Sequence, residues 1–202
     1  MDSHTNETNV AESVRKVLLV VDVQVNQLED PPVGVPSGPV VRPNIEKVLN
    51  DARASPNPPI IVFIRNNGGQ EDPDLPGLPG WELALPTLPN EPIVDKWKCD
   101  SFAETNLGDI VPSNAAVLVV GMQSEYCIRA TCLGAVRRGN KTFLVKGAHA
   151  TADRHEGATE GEPAVITPAA TVENEIEGEL EAAGVVLVGL EDVPRWFTAT
   201  AS

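Results

Sequence analysis

Cysteine, histidine, aromatic side chains and basic charge are all scarce in this chain of 202 residues, and each shortage narrows what it can be. Three cysteines, an odd number with no Cys-x-x-Cys pair among them, argue against a disulfide framework and give no cue for redox or zinc chemistry. Lysine and arginine number 15 against 29 acidic residues, for a formal charge of −14. Nucleic acid and anionic membranes both demand a basic patch, and neither Arg137-Arg138 nor the other scattered bases form one. No apolar run approaches the ~20 residues of a membrane span. The polar start, Met1 to Glu12, lacks the apolar centre of a secretory signal, so the expectation is a cytoplasmic protein.

What is present is an ordinary globular composition, 42% hydrophobic, in a length that suits one domain spanning 1–202. Apolar runs alternate with amphipathic stretches, the pattern of a mostly parallel sheet covered by helices on both faces. Six strands are expected near 16–22, 59–65, 92–96, 115–121, 141–146 and 184–189, with helices near 40–54, 103–110, 124–138 and 169–183. This is a doubly wound α/β class. The last helix is well marked, by Pro168 at its start and Gly184 just past its end. A long Gly/Pro-rich segment, 66–91, carries Trp81, and such a loop reads as a wall of a site. The stretch 1–14 reads as a polar tail, and 191–202 as a second tail whose Trp196-Phe197 pair docks on the body or on a neighbouring subunit.

Three side chains stand where such folds place ligands, at the C-terminal ends of strands. Cys127 follows the apolar run Ala115–Val120 through Gly121-Met-Gln-Ser-Glu-Tyr, at the start of a helix. There the helix dipole and free N–H groups are expected to draw its pKa below the ~8.5 of a free thiol and to receive an oxyanion. Cys132, further along, reads as a buried structural cysteine. Asp22 closes the run Lys16-Val-Leu-Leu-Val-Val, where an acid is either functional or a turn residue. Lys96 ends Pro92-Ile-Val-Asp-Lys and would by default be a solvated charge.

Taken in order, the three sites resemble the isochorismatase-like cysteine hydrolases. Asp22-Val-Gln24 is similar to that family's first motif, Lys96-Trp-Lys-Cys-Asp100-Ser-Phe102 with Thr105-Asn-Leu107 to its second, and Gly121 to Cys127 to its third. The register selects Lys96 rather than Lys98, because the lysine stands six before the phenylalanine. The resemblance, over roughly residues 16–190, implies a Rossmann-like three-layer fold and a catalytic triad of Asp22 as base, Lys96 as orienting cation and Cys127 as nucleophile. It also implies a cis peptide between Met122 and Gln123 that shapes an oxyanion site with Cys127, and assembly as a homo-oligomer, dimer or tetramer. Candidate contacts to a small-molecule substrate are Gln24, Asn66, Trp81 and Tyr126.

Departures from the pattern set limits. Nicotinamidases of the family hold a divalent metal through Asp-x-His after the second strand, where this chain reads Arg65-Asn-Asn-Gly-Gly, so no metal or other cofactor is expected. The segment Gly147-Ala-His149-Ala-Thr151 resembles a family Asp-Ala-His-Ser-Thr with the aspartate replaced, leaving His149 as a pocket, interface or structural histidine. Gly80-Trp81-Glu82-Leu83 resembles a segment of streptothricin-hydrolase-like members, which open cyclic amides. The implied activity is hydrolysis of a C–N bond in a small amide, ureide or lactam. The alternatives are vinyl-ether hydrolysis as in isochorismatase proper, or a non-catalytic binding protein of the same fold.

Overall fold

In the computed structural model, which describes residues 14–29, 33–157 and 165–199, six strands form one sheet in which every neighbouring pair is parallel. They are β1 (Lys16–Val21), β2 (Ile60–Asn66), β3 (Ile93–Lys96), β4 (Ala116–Met122), β5 (Lys141–Ala150) and, after a separate antiparallel pair β6 (Arg154–Glu156) and β7 (Val165–Thr167), β8 (Val186–Val188). The spatial order is β3-β2-β1-β4-β5-β8. The chain therefore winds outward in one direction from β1 and in the other from β4, which leaves a crevice between the C-terminal ends of those two strands.

Helices cover both faces because the strands are apolar on both. Leu18 and Val20 of β1 pack with Val41, Ile45, Val48 and Leu49 of α2 (Gly38–Ala54) and with Val193 and Phe197 of α6 (Val193–Thr198). Val17, Leu19 and Val21 face the other way, onto Leu107 of α3 (Leu107–Ile110), Cys132 of α4 (Arg129–Arg137) and Val172, Ile176 and Leu180 of α5 (Ala169–Ala182). A further short helix, α1 (Val25–Leu28), follows β1 directly. Gly184 closes α5 with φ +94°, as its position past the helix end demands.

Four expectations need correction. The helix expected from 103 begins only at Leu107, because side chains before it take the backbone groups a helix would use. Asp100 Oδ1 accepts from Phe102 N–H (3.0 Å), the Thr105 hydroxyl donates to Ser101 O (2.6 Å), and Leu107 N–H donates to Thr105 Oγ1 (3.2 Å). The helix expected from 124 opens with a wide π-helical turn, Ser124–Ile128, before α4. The fifth strand runs on to Ala150, well past the expected end, and bulges on the way. The stretch expected only as a C-terminal tail carries a helix: in α6 Phe197 is buried, and Trp196 meets Phe143 edge-on at 5.4 Å, so the aromatic pair docks on the body. The N-terminal tail expected over 1–14 lies almost wholly outside the described residues.

Candidate active site

The crevice between β1 and β4 brings the sequence candidates together. Asp22 leaves β1 with φ +50°, a conformation rare outside glycine and short polar residues, while its N–H still donates to Ile64 O at 3.0 Å. Across the crevice, Gly121 is obligatory: with φ +126°, a Cβ there would stand 1.9 Å from Val21 O. This close approach puts the turn after β4 beside Asp22. Lys96 starts from β3, two strands away and so ~10 Å distant at the backbone. Only a long side chain spans that gap. It passes Asn66, its partner in the β2–β3 register, and its ammonium donates to Asp22 Oδ2 (2.8 Å), Asn66 Oδ1 (3.2 Å) and Cys127 Sγ (3.1 Å). All three ammonium hydrogens thereby have a partner.

The electrostatics follow from depth. Asp22 is 3% exposed and Lys96 not at all. Burial pushes the Asp22 carboxyl up, against the pull of Lys96. Burial also works against the Lys96 charge, but Asp22 and Cys127 more than offset it and hold the ammonium above its ordinary range. For Cys127 burial acts first and the Asp22 charge second, and together they raise its pKa well above that of a free thiol despite Lys96. The acidified thiol expected at a helix start is thus not what the geometry produces: the π turn buries the sulfur beside a carboxylate. The thiol therefore holds its proton more firmly than a free one does, beside the Asp22–Lys96 pair. Moving it to Asp22 leaves the total charge unchanged, so one cation serves two anions that share one proton. Cys132, by contrast, is simply core: burial alone pushes its thiol up to about 12.

Above the sulfur lies a cavity of about 200 Å³ lined by Asp22, Gln27, Asn66, Met122, Gln123, Tyr126 and Cys127. A cis peptide joins Met122 to Gln123, as the resemblance implied. Tyr126 stands 55% exposed at the mouth. A larger recess, about 450 Å³, lies at the opposite, N-terminal ends of β1 and β2 beside Arg15, Asn57 and Thr198, and has neither thiol nor acid in its lining.

Two of the candidate contacts, Gln24 and Trp81, lie outside the cavity lining and are engaged within the chain. Gln24 is buried with its amide fully engaged, donating to Asn66 O (3.1 Å) and Trp81 O (3.0 Å) and accepting from Asn66 N–H (2.8 Å). Trp81 lies outside the cavity lining, with Nε1 donating to Asn67 Oδ1 (2.8 Å) and the Arg65 guanidinium 3.4 Å over its ring. Asn66 does line the cavity, oriented by Lys96 and by a bond from Nδ2 to Asp74 Oδ2 (2.8 Å). Of the long 66–91 loop, only Asn66 reaches the cavity wall; the rest buttresses it. Gln27, which no motif marks, enters through α1 and accepts from Gln123 Nε2 at 2.9 Å.

The family model for the Isochorismatase domain matches residues 16–167, a span that includes all three members of the constellation. The chain belongs to the isochorismatase family. It is 35% identical over 162 residues to a streptothricin hydrolase of Streptomyces noursei, and 35% identical over 147 residues to a second one. These matches take in 76% and 68% of this chain but only 61% and 50% of the relatives' own length. Among solved structures, a cysteine hydrolase from Pseudomonas syringae pv. phaseolicola shares the fold, with TM-score 0.76, 22% identity and coverage of 91% of this chain and 92% of that one. The pyrazinamidase of Pyrococcus horikoshii, solved in complex with zinc, does so with TM-score 0.71, 21% identity and coverage of 87% and 99%.

The residues that follow Lys96 act as supports. Asp100 pairs with Arg137 (3.0 Å) and packs so tightly on Gly134 that a Cβ there would meet its carboxylate at 2.4 Å. Ser101 Oγ and Thr131 Oγ1 are 2.7 Å apart. The chain just after Lys96 is thereby tied to α4, which fixes where the lysine starts. The residues at the end of β2 and just after it do not fit a metal: Arg65 forms a bidentate pair with Asp95 (2.7 and 3.1 Å), and Asn67 Oδ1 is taken by Trp81. A guanidinium in that place repels a divalent cation.

Proposed function

We propose that this chain is a cysteine hydrolase that cleaves the C–N bond of a small amide, ureide or cyclic amide through an acyl thioester on Cys127. The observation that carries the reading is the single Lys96 ammonium in contact with both Asp22 (2.8 Å) and the Cys127 sulfur (3.1 Å). Asp22 Oδ1 is buried without a hydrogen-bond partner among the described residues, which leaves a lone pair able to accept a proton. As a substrate carbonyl settles over the sulfur, the thiol proton passes to Asp22, Sγ bonds to the carbonyl carbon, and backbone N–H groups between Met122 and Cys127 receive the oxyanion. Collapse breaks the C–N bond, and the leaving nitrogen takes the proton from Asp22. Water then gives a proton to Asp22 and adds its hydroxide to the thioester; expulsion of the sulfur and return of the proton restore the thiol. Lys96 stabilises whichever of the two groups is anionic at each stage.

A cavity of about 200 Å³ is below the ~300 Å³ at which sites enclose drug-sized ligands, so it admits a small amide or the cleavable end of a larger molecule. Streptothricin, after which the relatives are named, is a candidate of the second kind. The test is incubation with a panel of small amides, ureides and lactams, streptothricin included, with acid quenching and intact-mass detection of an acyl group located to Cys127. Turnover of any of these by a Cys127→Ala variant would end the covalent mechanism.

A further inference from the structure

The strand beside β4 carries an irregularity that the mechanism above does not use. Val119 pairs with Leu144, yet Gly121 pairs with His149: β4 advances two residues while β5 advances five. In an unbroken ladder Lys146 would stand opposite Gly121. Bulges of this kind re-aim a side chain. This one is stabilised rather than loose, because Gly147 takes φ +73° and its carbonyl accepts from Asn44 Nδ2 of α2 at 2.7 Å.

What the bulge delivers is a buried polar chain under the nucleophile's turn. His149 Nδ1 is 2.8 Å from Ser124 Oγ, and Nε2 is 3.3 Å from Glu177 Oε1, with the other Glu177 oxygen paired to Lys146. A carboxylate facing Nε2 places the imidazole hydrogen there, leaving Nδ1 to accept from the Ser124 hydroxyl. Two residues on, Thr151 holds the neighbouring position of the turn, its hydroxyl donating to Glu125, while its N–H donates to Glu173 Oε1 at 3.3 Å. Ser124, His149 and Thr151 are all buried, and none lines the cavity. Ser124–His149–Glu177 is therefore not a second hydrolytic triad, since its hydroxyl reaches no substrate. It grips the first residue of the turn that ends in Cys127.

We infer that His149 is a positioning residue for the nucleophile, delivered by the β5 bulge and braced by Glu177, which holds Ser124 and so fixes the Gln123–Cys127 turn whose backbone faces an adding carbonyl. This rests on the nucleophile reading of Cys127. The test uses ¹³C-labelled acetaldehyde, whose carbonyl carbon bonds to Sγ while its oxygen takes the thiol proton, giving a hemithioacetal visible by ¹³C NMR. The protein carries Cys99→Ser, so that the exposed thiol is silent. Iodoacetamide serves as a control, because it consumes the thiol without placing an oxygen in the oxyanion position. Misplacing a reacting group by ~1 Å costs about a hundredfold. His149→Ala and Ser124→Ala are each expected to weaken the aldehyde adduct by roughly tenfold or more while iodoacetamide labelling changes little. The double variant should be no worse than either single one, since both remove one contact. His149→Asn, which keeps a polar atom near the Nδ1 position, should recover most of the affinity. Adduct affinity unchanged in folded His149→Ala, or additive losses in the double variant, would overturn the inference. No adduct and no labelling of Cys127 in the parent protein would instead sink the nucleophile reading itself.

Discussion

Removing the proposed base should make the thiol more reactive, not less. In Asp22→Asn the side-chain shape is kept, but the negative charge that helps hold the proton on Cys127 is gone, while the ammonium that favours the thiolate stays 3.1 Å from the sulfur. Two unit charges ~3 Å apart attract by roughly 5 kcal/mol at an effective dielectric constant of about 20. Burial opposes the new thiolate and consumes much of this. If about 1.4 kcal/mol survives, the thiolate population rises about tenfold. The assay is the second-order rate of iodoacetamide labelling at pH 7.5, with Cys127 identified by peptide mass spectrometry and Cys99 as an internal reference. Labelling of Cys127 should rise about tenfold in Asp22→Asn. Hydrolysis of any substrate should fall by roughly 10²- to 10⁴-fold, because the leaving nitrogen no longer receives a proton. A variant in which labelling and hydrolysis fall together would refute the scheme of two anions sharing one cation and one proton.

Other perturbations probe the frame around that triad. Lys96→Met leaves the Asp22 charge buried and unpaired, which should cost about 3–5 kcal/mol at pH 8. Burial already raises the folded pKa of Asp22 above its unfolded value, so stability is lost as pH rises through the folded pKa. The deficit measured by urea denaturation should therefore shrink at pH 5.5, and an equal deficit at both pH values would contradict the pairing. Gly121→Ala drives a Cβ to 1.9 Å from Val21 O and should cost roughly 2–3 kcal/mol and most activity; a melting temperature within ~2 °C of wild type would show the crevice to be more pliant than described. Glu91→Gln addresses the far end of the 66–91 loop. Burial raises this carboxyl, but Arg53 and the Leu88 N–H outweigh it and hold the pKa below the usual range. A depressed carboxylate stabilises above its unfolded pKa and loses that contribution as pH falls through the folded one. The variant should be about 1.5–3 kcal/mol less stable at pH 7 and approach wild type in acid; a pH-independent difference would mean that the Arg53 pair is not the cause.

The fold was legible because its signals are local. Each strand is a short apolar run, and the ends of α5 are marked by Pro168 and Gly184. The grouping of Asp22, Lys96 and Cys127 was legible because each closes or follows a strand, and because the order of three motifs is hard to reproduce by chance. The thiol's acidity was misread for a physical reason: a dipole argument counts distance to a helix end, whereas the dominant effects are burial and a carboxylate that arrives from another strand. Gln24 was read as a contact because a polar residue two positions from Asp22 looks available, yet its amide is engaged by the backbone of Asn66 and Trp81, 42 and 57 residues away. Gln27 and the His149–Ser124 contact escaped for the same cause. One depends on a four-residue helix and the other on a register shift between β4 and β5, neither of which leaves a periodic trace.

The buttressed loop also decides how the site chooses. Gln24, Arg65 and Asn67 tie Trp81 and its neighbours to the sheet, and Asp74 holds Asn66 in place. This side of the entrance is a door frame without a hinge. Under the proposed function, selection would be exercised at admission, between Asn66, Gln27 and Tyr126, and a bulky molecule would enter by its narrow end with its remainder in water. In a homologous series of substrates, widening the group next to the scissile bond should end turnover abruptly, whereas lengthening the distant end should change it little.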